Sequence, residues 1–81
     1  MNLRYSRHFL RSYHMAPLEI RRAVDKQALL LAENPRHPSP RAKKYDPSIG
    51  LWQARVTRGW RFYFTIEPDA YHLHEIKPHP K

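Results

Sequence analysis

The sequence of 81 residues contains no cysteine, only two glycines and no long hydrophobic run. Without cysteine, a disulfide scaffold and any thiolate-ligated zinc or iron-sulfur site are excluded. The apolar stretches fall far short of the roughly 18 residues that a membrane-spanning helix requires. Residues 1–15 also lack the continuous apolar segment of a secretory signal. The sequence therefore predicts a cytoplasmic protein, with no membrane partner, that forms one small domain over residues 1–81.

Acidic residues are scarce as well. The chain has seven Asp and Glu against 15 Lys and Arg, which gives a formal net charge of +8. Arginine is the more frequent of the two basic residues, and its planar guanidinium group matches the oxygens of a phosphate. The excess is concentrated in residues 41–64, which hold six basic side chains and one acidic one. A polyanion or an acidic protein segment is therefore the expected partner.

The first half of the chain predicts a short strand followed by two helices. Residues 3–5 have strand character, and Ser6 can cap a brief helix. A longer helix is predicted from Pro17 to Asn34, because apolar residues recur there at helical spacing and Pro35 ends the pattern. The residues expected to face the core from these helices are Phe9, Leu10, Tyr13, Ile20, Ala23, Val24, Ala28 and Leu31.

The second half of the chain predicts strands. Residues 51–57 and 60–67 alternate apolar and polar side chains, so each strand has one apolar face. Bringing the two apolar faces together sets Val56 opposite Trp60 and requires a three-residue loop. In the favoured loop of that length the last residue is left-handed, a conformation that Gly59 adopts without strain.

A tight turn at residues 68–69 predicts a third strand, with Ile66 opposite Tyr71 and Phe64 opposite Leu73. The expected fold class is α+β: a short N-terminal strand, two helices and an antiparallel three-stranded meander, with the helices packed on one face of the sheet. We call the other face the open face. It is expected to display Arg55 directly opposite Arg61, together with Tyr63, His72 and His74, the last beside Tyr63.

With these elements in this order, the chain resembles the RelE/ParE superfamily of toxins from type II toxin-antitoxin systems. The resemblance runs nearly end to end and rests on short stretches: YSRHFL at 5–10, LAENPRHP at 31–38, AKK at 42–44, GLWQARV at 50–56, GWRFYF at 59–64 and HEIKPH at 74–79. Many toxins of this superfamily look like ribosome-dependent messenger-RNA endonucleases. Members of the ParE branch act on DNA gyrase and do not cleave RNA.

The resemblance also implies site residues. Arg61 matches the arginine that contacts the scissile phosphate, Arg55 the basic residue late in the preceding strand, and His79 the His or Arg just after the last strand. Lys43 or Lys44 matches the lysine before the tryptophan-bearing strand. The chain departs from some relatives in having Leu51 and Gln53 where they have lysines, and it has no Asp or Glu between Arg36 and Tyr45 that could act as a base.

The leading hypothesis is therefore a RelE-like toxin that cleaves or blocks messenger RNA on the ribosome and is neutralised by an antitoxin with an acidic or helical segment. Metal-free RNA cleavage requires cationic donors for the phosphorane and groups that transfer protons. The expected catalytic residues are Arg61, Arg55 and His79, and the expected RNA-binding residues are Lys43, Lys44, Arg41, Arg58 and Tyr63.

Other interpretations stay open. The alternatives in function are a ParE-like inhibitor of gyrase without nuclease activity, and a decayed toxin that only binds nucleic acid or antitoxin. Tyr63 fits a base-stacking residue and a tyrosine that merely covers the sheet equally well. His72 and His74 point the same way on a strand but would need a third ligand to bind a metal, so no metal and no cofactor are expected.

Overall fold

A computed structural model describes residues 1–79 of the chain. Its two helices and five strands, in chain order, are β1 (Asn2–Tyr5), α1 (Arg7–Met15), α2 (Leu18–Glu33), β2 (Lys43–Asp46), β3 (Leu51–Thr57), β4 (Trp60–Ile66) and β5 (Ala70–Pro78), with a short 3-10 turn at Pro47–Ile49. No helix in this part of the chain is long and apolar enough to cross a membrane.

The strands form one mixed sheet in the order β1-β5-β4-β3-β2. Strand β1 is parallel to β5, and the other pairs are antiparallel. The predicted α+β class and the antiparallel meander are confirmed. Strand β2 was not predicted, because its sequence KKYD has no apolar alternation and three prolines lie just upstream. It is an edge strand held by main-chain pairing, which leaves little trace in a sequence.

Both helices begin and end where the local chemistry dictates. The Ser6 side chain caps α1 by accepting a hydrogen bond of 2.9 Å from the Phe9 amide, and α2 stops before Asn34, which is extended ahead of Pro35. The helices pack on one face of the sheet, and the core comprises Phe9, Ala16, Ile20, Val24, Ala28, Leu31, Ala54, Val56, Phe62, Phe64, Tyr71, Leu73 and Ile76. Leu10, expected in this core, is exposed instead.

Helix α1 also covers an edge of the sheet. Strand β1 pairs only with the first four residues of β5, from Ala70 to Leu73. Beyond that point α1 takes over, since the Ser6 hydroxyl donates to the His74 carbonyl (3.1 Å) and the Ile76 amide donates to the Ser12 hydroxyl (3.1 Å). The first and last elements of the chain are thereby fixed to each other.

The β3-β4 hairpin confirms one prediction and corrects another. Arg55 pairs with Arg61 as expected. Trp60, however, pairs with Thr57 and not with Val56, because a bulge at Val56 absorbs the extra residue. Gly59 is not left-handed, since among residues 1–79 positive φ angles occur only at Gly50 (66°) and Arg41 (48°).

A second bulge lies in the β4-β5 pair. The predicted partners Ile66 with Tyr71 and Phe64 with Leu73 are confirmed. His74 does not pair with Tyr63 as expected, because the bulge shifts Glu75 into that place. The shift continues to the end of the strand and sets Lys77 opposite Arg61.

Candidate nucleic-acid interface

Basic side chains form a row across the open face. Arg61 in the centre of the sheet pairs with Arg55 of β3 on one side and with Lys77 of β5 on the other. Lys43 of β2 pairs with Gln53, one open-face position away from Arg55. The strand registers thus collect four cations from four different strands.

Part of this row closes into a small pocket, which we call the cationic pocket. It has a volume of about 140 Å³ and is lined by Arg41, Lys43, Gln53, Arg55 and Arg61. Its lining holds four cations, one amide and no carboxylate. Such a pocket can hold a phosphate group, because charge-assisted hydrogen bonds from guanidinium groups to phosphate oxygens are among the strongest that proteins make.

Arg61 is held in place by the hairpin itself. Its Nη1 atom donates to the carbonyl oxygens of Thr57 (2.7 Å) and Trp60 (2.9 Å), with a longer contact of 3.4 Å to that of Arg58. Burial, and then repulsion from Arg55, lower the pKa of Arg61. An arginine nevertheless stays protonated in a protein. The hairpin therefore preorganises a partly buried positive charge at the floor of the pocket.

Arg41 reaches the pocket through an unusual backbone conformation. Its φ angle of 48° is left-handed, which costs a residue other than glycine about 1–2 kcal/mol. The buried Pro40 just before it accepts a hydrogen bond from the Arg55 amide. The loop is thus attached to the edge of β3 next to Arg55, and the strained residue lies against the cluster of cations.

Tyr63 does not present a stacking surface, which corrects its predicted display on the open face. Its side chain is only 4% exposed. The Tyr45 ring lies against it at a centroid distance of 4.9 Å, and the Lys77 ammonium lies 5.1 Å from the centre of its ring. Burial raises the pKa of its hydroxyl. Tyr45, which is 52% exposed, is the aromatic side chain that solvent reaches here.

The remaining predicted residues lie outside the cationic pocket. Lys44 pairs with Trp52 and points away from the face that Lys43 occupies. Arg58 is exposed in the hairpin turn. His79 is exposed just past β5, and its amide donates to the Gly59 carbonyl at 2.8 Å. The structure therefore brings His79 to the hairpin but does not place its imidazole in the pocket lining.

Sequence reasoning missed three residues of this surface. Gln53 was noted only as a departure from some relatives, and it now lines the pocket. Lys77 joins the basic row because of the bulge in β5, and Tyr45 covers Tyr63 because β2 exists. Neither β2, whose KKYD sequence has no apolar alternation, nor a bulge of this kind has a sequence signal that we recognise.

His72 and His74 form a separate cluster at the other end of the open face. Their ring centroids are 4.4 Å apart. His74 Nε2 shares a hydrogen bond of 2.8 Å with the Thr65 hydroxyl, and His72 Nδ1 lies 3.5 Å from a Glu67 carboxylate oxygen. Within residues 1–79, no three His, Cys, Asp or Glu side chains are arranged to hold a metal ion.

The opposite side of the molecule has an apolar groove. It has a volume of about 430 Å³ and lies between β1, α1 and α2. Leu29, which lies on the far side of α2 from the core, lines this groove and remains 58% exposed. Helix α1 therefore does not cover Leu29.

Comparison with known proteins gives structural neighbours and no sequence match. No model of a protein family and no curated protein matches the chain. Among solved structures, the YoeB/ParE toxin from Agrobacterium tumefaciens superposes with a TM-score of 0.82 at 13% identity, over 99% of this chain and 100% of that one. YafQ from E. coli has a TM-score of 0.78 at 16% identity, over 96% and 92%.

A third neighbour is a chain of the RelBE2 toxin-antitoxin complex from Mycobacterium tuberculosis, with a TM-score of 0.79 at 20% identity, over 96% of each chain. At sequence identities this low, the superpositions establish similarity of fold alone. The superpositions cover nearly the whole length on both sides. The resemblance seen in the sequence is thereby confirmed at the level of architecture: this chain has the fold of the RelE/ParE toxins.

Proposed function

We propose that this protein is the toxin component of a type II toxin-antitoxin system and that it cleaves messenger RNA on the ribosome in the cytoplasm. The observation that carries the proposal is the cationic pocket, in which Arg41, Lys43, Arg55 and Arg61 converge without a carboxylate to neutralise them. Unpaired cations that repel one another are costly in a folded protein, and a phosphate removes that cost. The shared fold with RelE and YoeB toxins supports the same conclusion.

In the proposed reaction the RNA 2′-oxygen attacks the adjacent phosphorus, and the bond to the 5′-oxygen breaks. The products are a 2′,3′-cyclic phosphate and a free 5′-hydroxyl. Arg55 and Arg61 stabilise the negative charge that develops on the phosphorane oxygens. Arg61 is suited to this role because the hairpin carbonyls already fix its Nη1 atom, so little reorganisation is needed when the charge appears.

Proton transfer needs a group that titrates near neutral pH, and the pocket lining contains none. We assign one of the two transfers to His79, because an imidazole can both donate and accept a proton and the main chain of His79 is bonded to the hairpin turn. The complementary acid or base comes from the ribosome in this proposal. Cleavage would then depend on the ribosome and not occur on free RNA.

The proposed partner is an antitoxin with an acidic or helical segment. Net charge of +8 and the exposed apolar groove next to α1 and α2 both support such a partner. Neighbouring structures from Mycobacterium tuberculosis and E. coli are themselves toxin-antitoxin complexes. We expect an antitoxin fragment to protect Arg55 and Lys43 from chemical modification, and a complex that leaves both reactive would contradict neutralisation by masking.

The nuclease is tested in a purified translation system by primer extension on the messenger RNA. Arg55→Ala should lower the cleavage rate about a hundredfold or more, as losses of one charge-stabilising donor do. Arg22→Ala, which changes an exposed cation on α2 that does not line the pocket, is the matched control and should retain full activity. His79→Ala should slow cleavage and change its dependence on pH.

A second function is favoured by one observation. Gln53, which is buried in the pocket lining, occupies a position where some relatives have a lysine, so the pocket suits binding better than proton transfer. A ParE-like inhibitor would leave translation intact and arrest gyrase in a supercoiling assay. That result would refute the nuclease, and expression without any toxicity would indicate the decayed toxin.

A further inference from the structure

A second polar cavity adjoins the cationic pocket at the edge of the sheet, and we call it the rim pocket. Its volume is about 490 Å³, within the range of small-molecule sites. Two of its lining residues, Arg41 and Arg55, also line the cationic pocket. The remaining lining residues are Gln27, Pro38, Ser39, Val56 and Thr57. A ligand could therefore occupy both cavities at once by passing between the two arginines.

The rim pocket exists because β2 is short. Pairing between β2 and β3 begins at Lys43 and Gln53, so the last residues of β3 pair with β4 on one side and have no neighbouring strand on the β2 side. The loop before β2 closes this space by bonding the Pro40 carbonyl to the Arg55 amide. Helix α2 supplies the opposite wall through Gln27, and the bulge at Val56 lies between them.

Gln27 is the unusual residue of this cavity. It lies on the core-facing side of α2, where Val24, Ala28 and Leu31 are also buried, and its side chain is only 8% exposed. Its Oε1 atom is buried and has no hydrogen-bond partner among residues 1–79. An apolar residue at such a position would be more stable, since a buried acceptor without a partner forfeits its hydrogen bonds to water. A role in binding accounts for a polar group kept there.

We propose that the rim pocket binds the nucleobase attached to the phosphate in the cationic pocket, and that the Gln27 amide selects adenine. This inference rests on the proposed function. An amide offers one acceptor and two donors side by side, and once a rotation of the amide turns Oε1 into the cavity it pairs with the adjacent donor and acceptor on adenine. The hydroxyl groups of Ser39 and Thr57 line the same cavity and can bind the ribose or a second edge of the base. Gln27 is then a specificity-determining residue.

The inference is tested by titrating the isotope-labelled full chain with three probes while NMR shifts of the backbone amides are recorded. The probes are inorganic phosphate, uridine 3′-monophosphate and adenosine 3′-monophosphate. We expect adenosine 3′-monophosphate to bind roughly tenfold or more tightly than the other two, because one bidentate pair discriminates between bases by about that factor. Only the nucleotides should shift the amides of Gln27 and Ser39.

Gln27→Met keeps the volume of the side chain and removes its hydrogen bonds. It should reduce the affinity for adenosine 3′-monophosphate to that for phosphate and leave phosphate binding unchanged. Its melting temperature should equal or exceed that of the wild type, because the unpaired acceptor is gone. Lys26→Met, an exposed substitution at the adjacent position of α2, is the control and should change neither affinity.

Different failures have different meanings. If phosphate binds but adenosine 3′-monophosphate binds no tighter than phosphate, the base site is wrong and the proposed nuclease pocket stands. Undiminished nucleotide preference in Gln27→Met also overturns the base site. A melting temperature of Gln27→Met many degrees below the wild type assigns Gln27 a structural role and overturns the inference. If phosphate itself does not bind, the cationic pocket and the function proposed from it fall as well.

Discussion

Arg55 and Arg61 line the same pocket but differ in what they contribute to folding. Arg61 bonds the hairpin carbonyls through Nη1, whereas the Arg55 side chain makes no hydrogen bond to another described residue. Replacing each by alanine therefore separates two effects. Both variants lose a cation from the pocket and relieve the repulsion within the pair, but only Arg61→Ala also breaks the hydrogen bonds of the turn.

The magnitude follows from the contacts. A hydrogen bond from a charged donor contributes about 1.5–3 kcal/mol, and because the two short bonds share one Nη1 atom of a partly exposed side chain, we count them together as about 2 kcal/mol. Relief of a like-charge pair across two strands returns about 0.2–1 kcal/mol. We therefore expect Arg61→Ala to lower the free energy of unfolding by about 1–2 kcal/mol and Arg55→Ala to leave it level or raise it slightly.

Thermal unfolding followed by circular dichroism measures the difference. In a domain of this size 1 kcal/mol corresponds to about 4–8 °C, so Arg61→Ala should melt roughly 4–15 °C below the wild type. Arg55→Ala should melt at or above the wild type, and its advantage should shrink as salt screens the repulsion. An Arg61→Ala protein as stable as the wild type, or equal losses in both variants, would refute the role assigned to the Nη1 hydrogen bonds.

Three further expectations concern stability. Burial, and then the neighbouring His72, lower the pKa of His74, so the unfolded chain binds a proton more readily than the folded one. The free energy of unfolding should therefore fall as the pH drops below about 6.5. His74→Gln should reduce that loss when the melting temperatures at pH 7 and pH 5 are compared. Gly50→Ala should cost about 1 kcal/mol because of its left-handed backbone, whereas Gly59→Ala, with open space around it, should be neutral or slightly stabilising, and a reversed order in urea titrations would contradict the assigned turn. Ser6→Ala should cost about 1–2 kcal/mol, since it removes both a helix cap and a bond to β5, and a loss below about 0.5 kcal/mol would show that these bonds are replaced by water.

Much of the sheet could be predicted because alternation specifies register. A shift of one residue would turn Phe62 and Phe64 out of the core, so the opposition of Arg55 and Arg61 follows from the apolar residues beside them. The same logic placed Ile66 opposite Tyr71. Register propagates reliably only until a bulge intervenes.

The two bulges explain most of what sequence reasoning got wrong. The alternation near the hairpin fitted a left-handed glycine as well as a bulge at Val56, and the residues of the turn do not distinguish them. In β5 the bulge at His74 changes the partner of Tyr63, which a strict count of residues cannot reveal. Whether a side chain on the open face is buried also depends on β2, and β2 is held by main-chain bonds that carry no side-chain pattern.

Sequence reasoning identified the pocket residues that their charge singles out and missed those that only proximity reveals. Arg41, Lys43, Arg55 and Arg61 were chosen for their charge and position, and they converge. Gln27 was not considered, because a glutamine in the apolar stripe of a helix has no distinguishing pattern in one sequence. Only the three-dimensional arrangement shows that its acceptor is buried beside the loop preceding β2.

The parallel pairing of β1 with β5 has a consequence for the order of folding. Residues 2–5 find their partners at residues 70–73, so β1 can enter the sheet only after residues 70–73 have been synthesised. Lys77 joins the basic row only when the last residues of β5 have paired with β4. A nascent chain can build its helices and its central hairpin early, since these contacts are local. The sheet closes only after β5 has been synthesised, so a nascent chain that lacks β5 has an incomplete row of cations on its open face.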